Sequence, residues 1–275
     1  MLYLETLGRI RLTAGRDQPA LQVPRLSLWL LCFLALSRGR MHATEALMEQ
    51  FWPDCDPVHG RSNLSSALWR LRRALPEEGR QLLASDVPGA LGLASDAPLW
   101  FDAEAFAAQL EESLGAGPAR LAEIAARRFE GALSLHAGEL LAGCMLDWAL
   151  LERERLLALW VRGQLRWLEH CAAGAEYDAA LAAAAAILRI DPLRESVHRR
   201  MIELHIANGN PPAALRQFEA CSEILARELG IAPSAGTRAA LAVLHAAPRA
   251  AVAKPTATTR PAAARADLTH SSALR

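Results

Sequence analysis

One stretch, residues 61–75, constrains the fold of this chain more than any other part of its sequence. It reads RSNLSSALWRLRRAL, and its leucines are Leu64, Leu68, Leu71 and Leu75. Spacings of four, three and four residues are typical of an amphipathic helix with one buried stripe. The stretch therefore predicts a helix that packs onto a core through its leucines.

The opposite side of this predicted helix carries hydroxyl groups, a tryptophan and arginines. These residues are Ser62, Ser65, Ser66, Trp69, Arg70 and Arg73, with Arg72 at the edge. From position 61 to position 73 there are four arginines and no acidic residue. Small side chains allow close approach to base edges in the major groove, and arginines bind phosphate or guanine. The pattern favours a DNA recognition helix. A solvated basic face on an ordinary helix is the alternative that these residues alone leave open.

Arg61 and Trp69 have more specific predicted roles. Arg61, at the helix start, is the candidate for a phosphate contact, and the helix is expected to begin at Ser62 or Asn63 as N-cap. Trp69 has two roles that stay open. It could stack on a sugar or a thymine methyl group, or it could pack against a predicted helix over residues 44–51.

Two further helices are predicted before this stretch. Residues 25–37 are nearly all apolar, which indicates a buried helix. Thr44 is expected to cap a second helix that runs to about Phe51, with Pro53 and Pro57 closing it.

The segments that surround these helices predict short strands. Residues 2–23 alternate apolar and polar side chains, which indicates a short antiparallel sheet. Residues 82–84 and 90–93 flank a Val-Pro-Gly turn at 87–89, which predicts a closing hairpin. The order sheet, three helices and hairpin is that of a winged helix-turn-helix, with the third helix for the DNA groove and the hairpin as wing.

The remainder of the chain is predicted to be helical. At 275 residues the chain has room for two domains. A repeat of about 34 residues relates Ala180-Leu181 to Ala214-Leu215, which is typical of tetratricopeptide-like helix pairs. The predicted fold is mainly α with a small β part. We expect a winged helix domain at 1–98, an all-α tetratricopeptide-like domain at 99–246 and a disordered tail rich in Ala, Pro and Arg at 247–275.

Several motifs resemble a known family. The strings LLCFLAL, MHATEALMEQFWPD and NLSSALWRLRRAL look like the OmpR-type winged helix of the Streptomyces antibiotic regulatory protein (SARP) family. The strings GELL, DWA, ERERL, DPLRE and ELGIAPS resemble the bacterial transcriptional activator domain (BTAD) that follows it in that family. One departure is at the wing, where the family usually has Gly-Tyr and this chain has Gly89-Ala90.

The resemblance implies a sequence-specific DNA-binding transcriptional activator that binds double-stranded promoter repeats as a pair of protomers and contacts RNA polymerase. The candidate DNA-binding residues are Arg61, Ser62, Ser65, Ser66, Trp69, Arg70 and Arg73. Within the activator domain, Asp147, Trp148 and Arg153 are expected to be structural rather than ligand contacts. The alternative function is a protein-interaction adaptor, in which the helical domain binds a partner and the winged helix docks. A third idea, a small-molecule sensor with a pocket among the helices of the second domain, is compatible with the DNA-binding function.

Other classes of function are not indicated by the sequence. It has no GxxxxGK[ST] phosphate loop, GxSxG elbow or HExxH motif, so no enzyme, catalytic residue or cofactor is predicted. His198 and His205 lie on one helix face without a third ligand, which is a weak metal signal. Five scattered cysteines and the absence of a long apolar run predict a reduced, cytoplasmic protein with no membrane partner.

The charge distribution differs between the two predicted domains. Residues 1–80 hold 11 Arg against 8 acids, whereas residues 101–245 hold 14 Arg against 19 acids. The basic N-terminal part is therefore predicted to bind nucleic acid, and the acidic helical part is predicted to bind protein.

Overall fold

A computed structural model describes residues 1–84, 88–115 and 121–246 of the chain. The strands are β1 (Leu2–Glu5), β2 (Arg11–Thr13), β3 (Met41–Ala43), β4 (Leu83–Ala84), β5 (Ala90–Leu93) and β6 (Leu99–Phe101). The first helices are α1 (Arg25–Leu36), α2 (Thr44–Phe51), α3 (Pro57–Ala74), α4 (Asp102–Gly115) and α5 (Glu123–Leu135). The later helices are α6 (Asp147–Ala173), α7 (Tyr177–Ile190), α8 (Glu195–Ala207), α9 (Pro211–Leu229) and α10 (Ala235–Ala246). The predicted fold class, mainly α with a small β part, is confirmed.

The first sheet has the strand order β2-β1-β6. β1 and β2 are antiparallel, as the alternation in residues 2–23 predicted, with Leu4 opposite Leu12. β6 runs parallel to β1 and places Phe101 opposite Leu4. This third strand was assigned to the helical domain from the sequence, because nothing local links it to β1. The division of the chain at residues 98 and 99 stays a prediction.

The second sheet has the order β3-β5-β4 and contains the predicted wing hairpin. β4 and β5 are antiparallel, with Leu83 opposite Leu93. Val87, the first residue of the predicted turn, lies outside the described residues together with residues 85 and 86. β3 pairs with β5 on its other side, and its three residues had no recognisable strand pattern.

The ends of two helices differ from the predictions. Ala43, not Thr44, is the N-cap of α2, and Thr44 is its first helical residue. The Thr44 hydroxyl instead donates to the carbonyl of Gly89, at 3.0 Å, and so ties the wing to the start of α2. Pro57 does not close α2. It opens α3, where its fixed φ suits the first turn.

The later helices pack in consecutive pairs, α6 on α7, α7 on α8 and α8 on α9. Ala180, Ala184 and Ala214 are fully buried in these pairs, as the repeat predicted for small residues at helix crossings. Gly230 ends α9 in the left-handed conformation, with φ of +68°. The predicted disordered tail at 247–275 lies outside the described residues. The apolar core is continuous from Leu2 in β1 to Leu204 in α8.

Candidate nucleic-acid interface

The helix α3 begins earlier than the sequence analysis predicted. Its N-cap is Asp56, whose carboxylate accepts from the backbone N–H groups of Val58 and His59 at 3.0 and 3.1 Å. Pro57 occupies the first turn, where its missing N–H costs nothing. The predicted N-caps, Ser62 and Asn63, are therefore wrong. They lie inside the helix, and the Asp-Pro pair was the signal that could have located the true start.

One face of α3 is held by the core. Gly60, Leu64, Ala67 and Leu71 are buried. The helix packs on α1 and α2 through this face. The leucine stripe thus fixes the rotation of α3 about its own axis and directs the remaining face outward.

The outward face of α3 contains every predicted DNA-binding residue. Arg61, Ser62, Ser65, Ser66, Trp69, Arg70 and Arg73 are all exposed. At 1.5 Å per residue, the face from Val58 to Arg73 is about 22 Å long. Val58 and His59 were missed by sequence reasoning, because the predicted helix began after them. Val58 lies at the N-terminal end of this face and is 77% exposed.

The arginine side chains of α3 differ in the groups that they contact. Arg61 forms an ion pair with Glu45 of α2, at 3.2 Å, and both side chains are mostly exposed. Hydrogen bonds from its own backbone amide and from Thr44 lower the pKa of the Glu45 carboxyl, which keeps it ionised. An ion pair between exposed groups is weak and screened by salt, so a phosphate can displace Glu45.

Within the described ranges, no ion pair engages Arg70, Arg72 or Arg73. The guanidinium of Arg73 lies over the Trp69 ring, 5.3 Å from its centroid. Trp69 is 58% exposed. The ring thus contacts Arg73 of its own helix, and both roles predicted for Trp69 stay predictions.

The wing is anchored at the start of α2. Gly89 has φ of +77°, which suits the glycine at a tight turn. Its carbonyl accepts from both the backbone N–H and the hydroxyl of Thr44. Contact between the wing and DNA stays a prediction, since the residue after Gly89 is alanine and not the tyrosine usual in the family.

A buried carboxylate joins the first sheet to α4. Asp102 accepts from the backbone N–H groups of Thr6 and Leu7 at 2.6 and 2.9 Å, and from the Thr6 hydroxyl at 2.9 Å. Burial raises the pKa of Asp102, and the hydrogen bonds from Leu7 and Thr6 oppose that rise. Sequence reasoning missed this link, because its partners are 95 and 96 residues apart.

The backbone after β1 pairs with the segment before α6. Gly8 N–H donates to Glu139 O at 3.0 Å, and Leu141 N–H donates to Thr6 O at 3.0 Å. Gly8 has φ of +94°, and a Cβ on it would lie 2.9 Å from the carbonyl carbon of Ala137. The two segments can approach this closely only with glycine at position 8.

The first turns of α6 pack on the helices that support α3. The buried Trp148 ring contacts Phe33 of α1 and Phe51 of α2, with centroid distances of 5.2 and 6.0 Å. Arg153 donates to the carbonyls of Leu140, Leu141 and Cys144. The predicted structural roles of Trp148 and Arg153 agree with these contacts. Asp147 is exposed in the first turn of α6, where a negative charge is favourable.

The sequence of the helical part matches a described family. The model of the bacterial transcriptional activator domain matches residues 101–244, which is more than half of the chain. The chain belongs to the BTAD family.

Relatives of this BTAD protein agree with that assignment. The transcriptional regulatory protein MoaR1 of Mycobacterium tuberculosis is 27% identical over 248 residues, which cover 86% of this chain and 77% of that protein. MoaR1 of Mycobacterium bovis BCG is 26% identical over the same length. These relatives are regulators of transcription, and the predicted resemblance to SARP-type regulators is confirmed.

A solved structure shares the fold. It is Mycobacterium tuberculosis EmbR in complex with a low-affinity phosphopeptide, with a TM-score of 0.70 and 22% identity. The match covers 90% of this BTAD protein and 66% of the EmbR chain. At this identity the likeness shows the fold alone.

Other predicted features of the BTAD region can be located as well. His198 is buried, its Nε2 donating to Pro192 O at 3.0 Å and its Nδ1 accepting from Gln217 at 2.7 Å. Both ring nitrogens are thus engaged within the fold. No cluster of three metal-ligating side chains occurs in the part of the chain that the structure describes. None of the described helices is long and apolar enough to cross a bilayer.

Proposed function

We propose that this BTAD protein regulates transcription by placing α3 in the major groove of double-stranded promoter DNA. The observation that carries the proposal is the outward face of α3, which is about 22 Å long and free of acidic residues. Its arginines supply phosphate and guanine contacts, and its serines allow close approach to base edges. Because bacterial promoters lie in the cytoplasm, the proposal also places the protein there.

The position of each residue supports a division of roles. Ser62, Ser65 and Trp69 lie near the middle of the exposed face, where a docked helix meets base edges. Arg61 and Arg70 lie toward its two edges, where the phosphate backbones run. On this assignment the edge arginines supply salt-dependent affinity, and the central residues supply sequence preference.

The relatives extend the proposal to partners. MoaR1 is a transcriptional regulatory protein, and the SARP resemblance supports binding as a pair of protomers on promoter repeats and contact with RNA polymerase. The acidic helical part, with 14 Arg against 19 acids over residues 101–245, has a charge suited to a protein partner and not to DNA. We assign the activator role on the same support.

The test is capture of fragmented genomic DNA by the purified full chain, followed by sequencing. A double variant, Arg70→Ala with Arg73→Ala, is compared with Arg127→Ala with Arg128→Ala, which removes the same charge from exposed positions on α5. Enrichment of a few upstream regions with a shared repeat, lost only in the α3 variant, is expected. Lack of enrichment by folded wild-type protein at low salt would contradict the proposal and favour the adaptor alternative.

A further inference from the structure

Trp69 is an outlier among the tryptophans of this chain. All seven lie in the described residues, and six are buried or half-buried, whereas Trp69 is 58% exposed. A large aromatic ring left in water gains little from the core. It is also central on a face whose neighbouring residues one turn earlier, Ser65 and Ser66, are small. The ring therefore projects beyond its neighbours, toward whatever α3 meets.

The ring contacts Arg73, whose N–H groups make no hydrogen bond or ion pair within the part of the chain that the structure describes. The Arg73 guanidinium lies 5.3 Å from the Trp69 ring centroid, one helical turn away. This cation–π contact leaves the N–H groups that point away from the ring available as donors. Arg61 differs, since Glu45 already accepts from it.

We propose that Trp69 and Arg73 act as one unit that reads a guanine together with a nearby thymine. The inference rests on the proposed function. Arg73 donates two hydrogen bonds to O6 and N7 of the guanine, the commonest specific contact in the major groove. The Trp69 ring contacts the C5-methyl group of the thymine. A separation of 5.3 Å corresponds to one or two base-pair steps of about 3.4 Å each, so the two bases lie within two steps of each other.

The contact between Arg73 and the indole ring also explains why an exposed tryptophan is useful. An arginine side chain loses rotamer freedom when it binds, and this loss weakens affinity. Contact with the indole restricts Arg73 before DNA arrives, so less freedom is lost on binding. Lysine at position 73 would keep the charge but could not form the planar, two-pronged contact.

The experiment uses modified duplexes. A preferred site is first selected from a random library by the wild-type chain. Each thymine is then replaced by deoxyuridine, which removes only the methyl group, and each guanine by 7-deazaguanine, which removes only the N7 acceptor. We expect one thymine whose replacement weakens binding about 3-fold. We expect one guanine within two steps of it whose replacement weakens binding about 10-fold.

Three variants identify which side chain reads which base. Trp69→Ala should abolish the effect of deoxyuridine at that thymine. Arg73→Ala should abolish the effect of 7-deazaguanine, while binding stays salt-dependent through Arg61 and Arg70. Arg72→Ala is the matched control, because Arg72 is an exposed neighbour and should retain both effects. Circular dichroism checks that each variant is folded.

The outcomes separate this inference from the proposed function. If Trp69→Ala and Arg73→Ala bind DNA with the wild-type preference at every position, the proposal that Trp69 and Arg73 read two bases together is wrong, whereas the DNA-binding proposal stands. If the folded wild-type chain selects no sequence and binds without salt dependence, the proposed function itself is wrong, and the paired reading fails with it.

Discussion

Trp148 packs edge-on against Phe33, with ring centroids 5.2 Å apart and ring planes at 71°. This contact joins the first turn of α6 to α1, and the same indole reaches Phe51 of α2. Since α1 and α2 also support α3, the activator domain takes part in holding α3 in place.

Trp148 and Trp69 are expected to respond in opposite ways to substitution. Trp148→Ala removes a buried ring and should lower the free energy of unfolding by about 3–5 kcal/mol. Trp69→Ala removes an exposed ring and should change it by no more than about 0.5 kcal/mol. Urea unfolding measures both. Equal losses in the two variants would contradict the burial that separates them.

A conservative change at position 148 provides a control. The Trp148 indole N–H is buried and has no hydrogen-bond partner in the described structure. Phenylalanine keeps most of the ring packing and removes that unsatisfied donor. Trp148→Phe should therefore cost clearly less than Trp148→Ala, roughly 1–2 kcal/mol. A cost as large as that of alanine would mean that the N–H finds a partner.

Asp102→Asn tests the link between the first sheet and α4. The two carboxylate oxygens accept from Thr6, Leu7 and Ala103. Either orientation of an asparagine amide would place its NH2 group against at least one backbone N–H. We expect a loss of about 1–3 kcal/mol in the free energy of unfolding, although the buried charge is removed. A variant as stable as wild type would show that these donors find water instead.

Alanine substitutions at two glycines distinguish the effect of a steric clash with a neighbouring segment from the effect of a positive φ. Gly8 and Gly143 both have positive φ, +94° and +83°. A Cβ at Gly8 would meet the backbone of Ala137 at 2.9 Å, whereas a Cβ at Gly143 meets nothing within 4 Å. Gly8→Ala should therefore lower the melting temperature more than Gly143→Ala. Equal shifts would mean that only the conformation matters and that the two segments can separate.

The stability of the chain should depend on pH through His136. The rings of Phe106 and Trp160 lie 5.4 and 5.5 Å from it, and burial lowers the pKa of His136 below its usual 6.5. The unfolded chain therefore binds this proton more readily than the folded one. The contribution is fully present above pH 6.5 and is lost as the pH falls through the folded pKa.

The pKa values of His42 and His205 are lowered too. A variant at position 136 is therefore needed to separate the titration of His136 from theirs. His136→Gln cannot titrate. The stability of wild type relative to His136→Gln should fall between pH 7.5 and pH 5, measured by urea unfolding in matched ionic strength. A constant difference across that range would rule out the titration.

Local patterns were sufficient for much of the fold and of the candidate site. The leucine spacing in residues 61–75 identified the buried stripe of α3, and so placed Ser62, Trp69 and Arg73 on its exposed face. Two hydrophobic segments around a Val-Pro-Gly turn identified the wing strands. Each of these features is encoded within one element.

Contacts between residues far apart in the sequence and strands of only three residues could not be predicted from local patterns. β6 joins β1 through a pairing between residues about a hundred positions apart, and Asp102 receives hydrogen bonds from Thr6 across a similar distance. β3 has three residues and gains its order from β5. The start of α3 was missed for a different reason. A proline after α2 predicts a stop, and Asp56-Pro57 is equally a start signal for the next helix.

The central claim is that α3 binds DNA, and the most direct measurement is the salt dependence of affinity for a selected duplex. Wild type should show a binding constant that falls steeply with salt, by a slope of about −0.9 for each phosphate contact. Arg70→Ala with Arg73→Ala should bind at least about 10-fold more weakly, with a slope shallower by about 1 for the phosphate contact assigned to Arg70. Arg127→Ala with Arg128→Ala should match wild type. Equal affinities and slopes for the two double variants would contradict the claim.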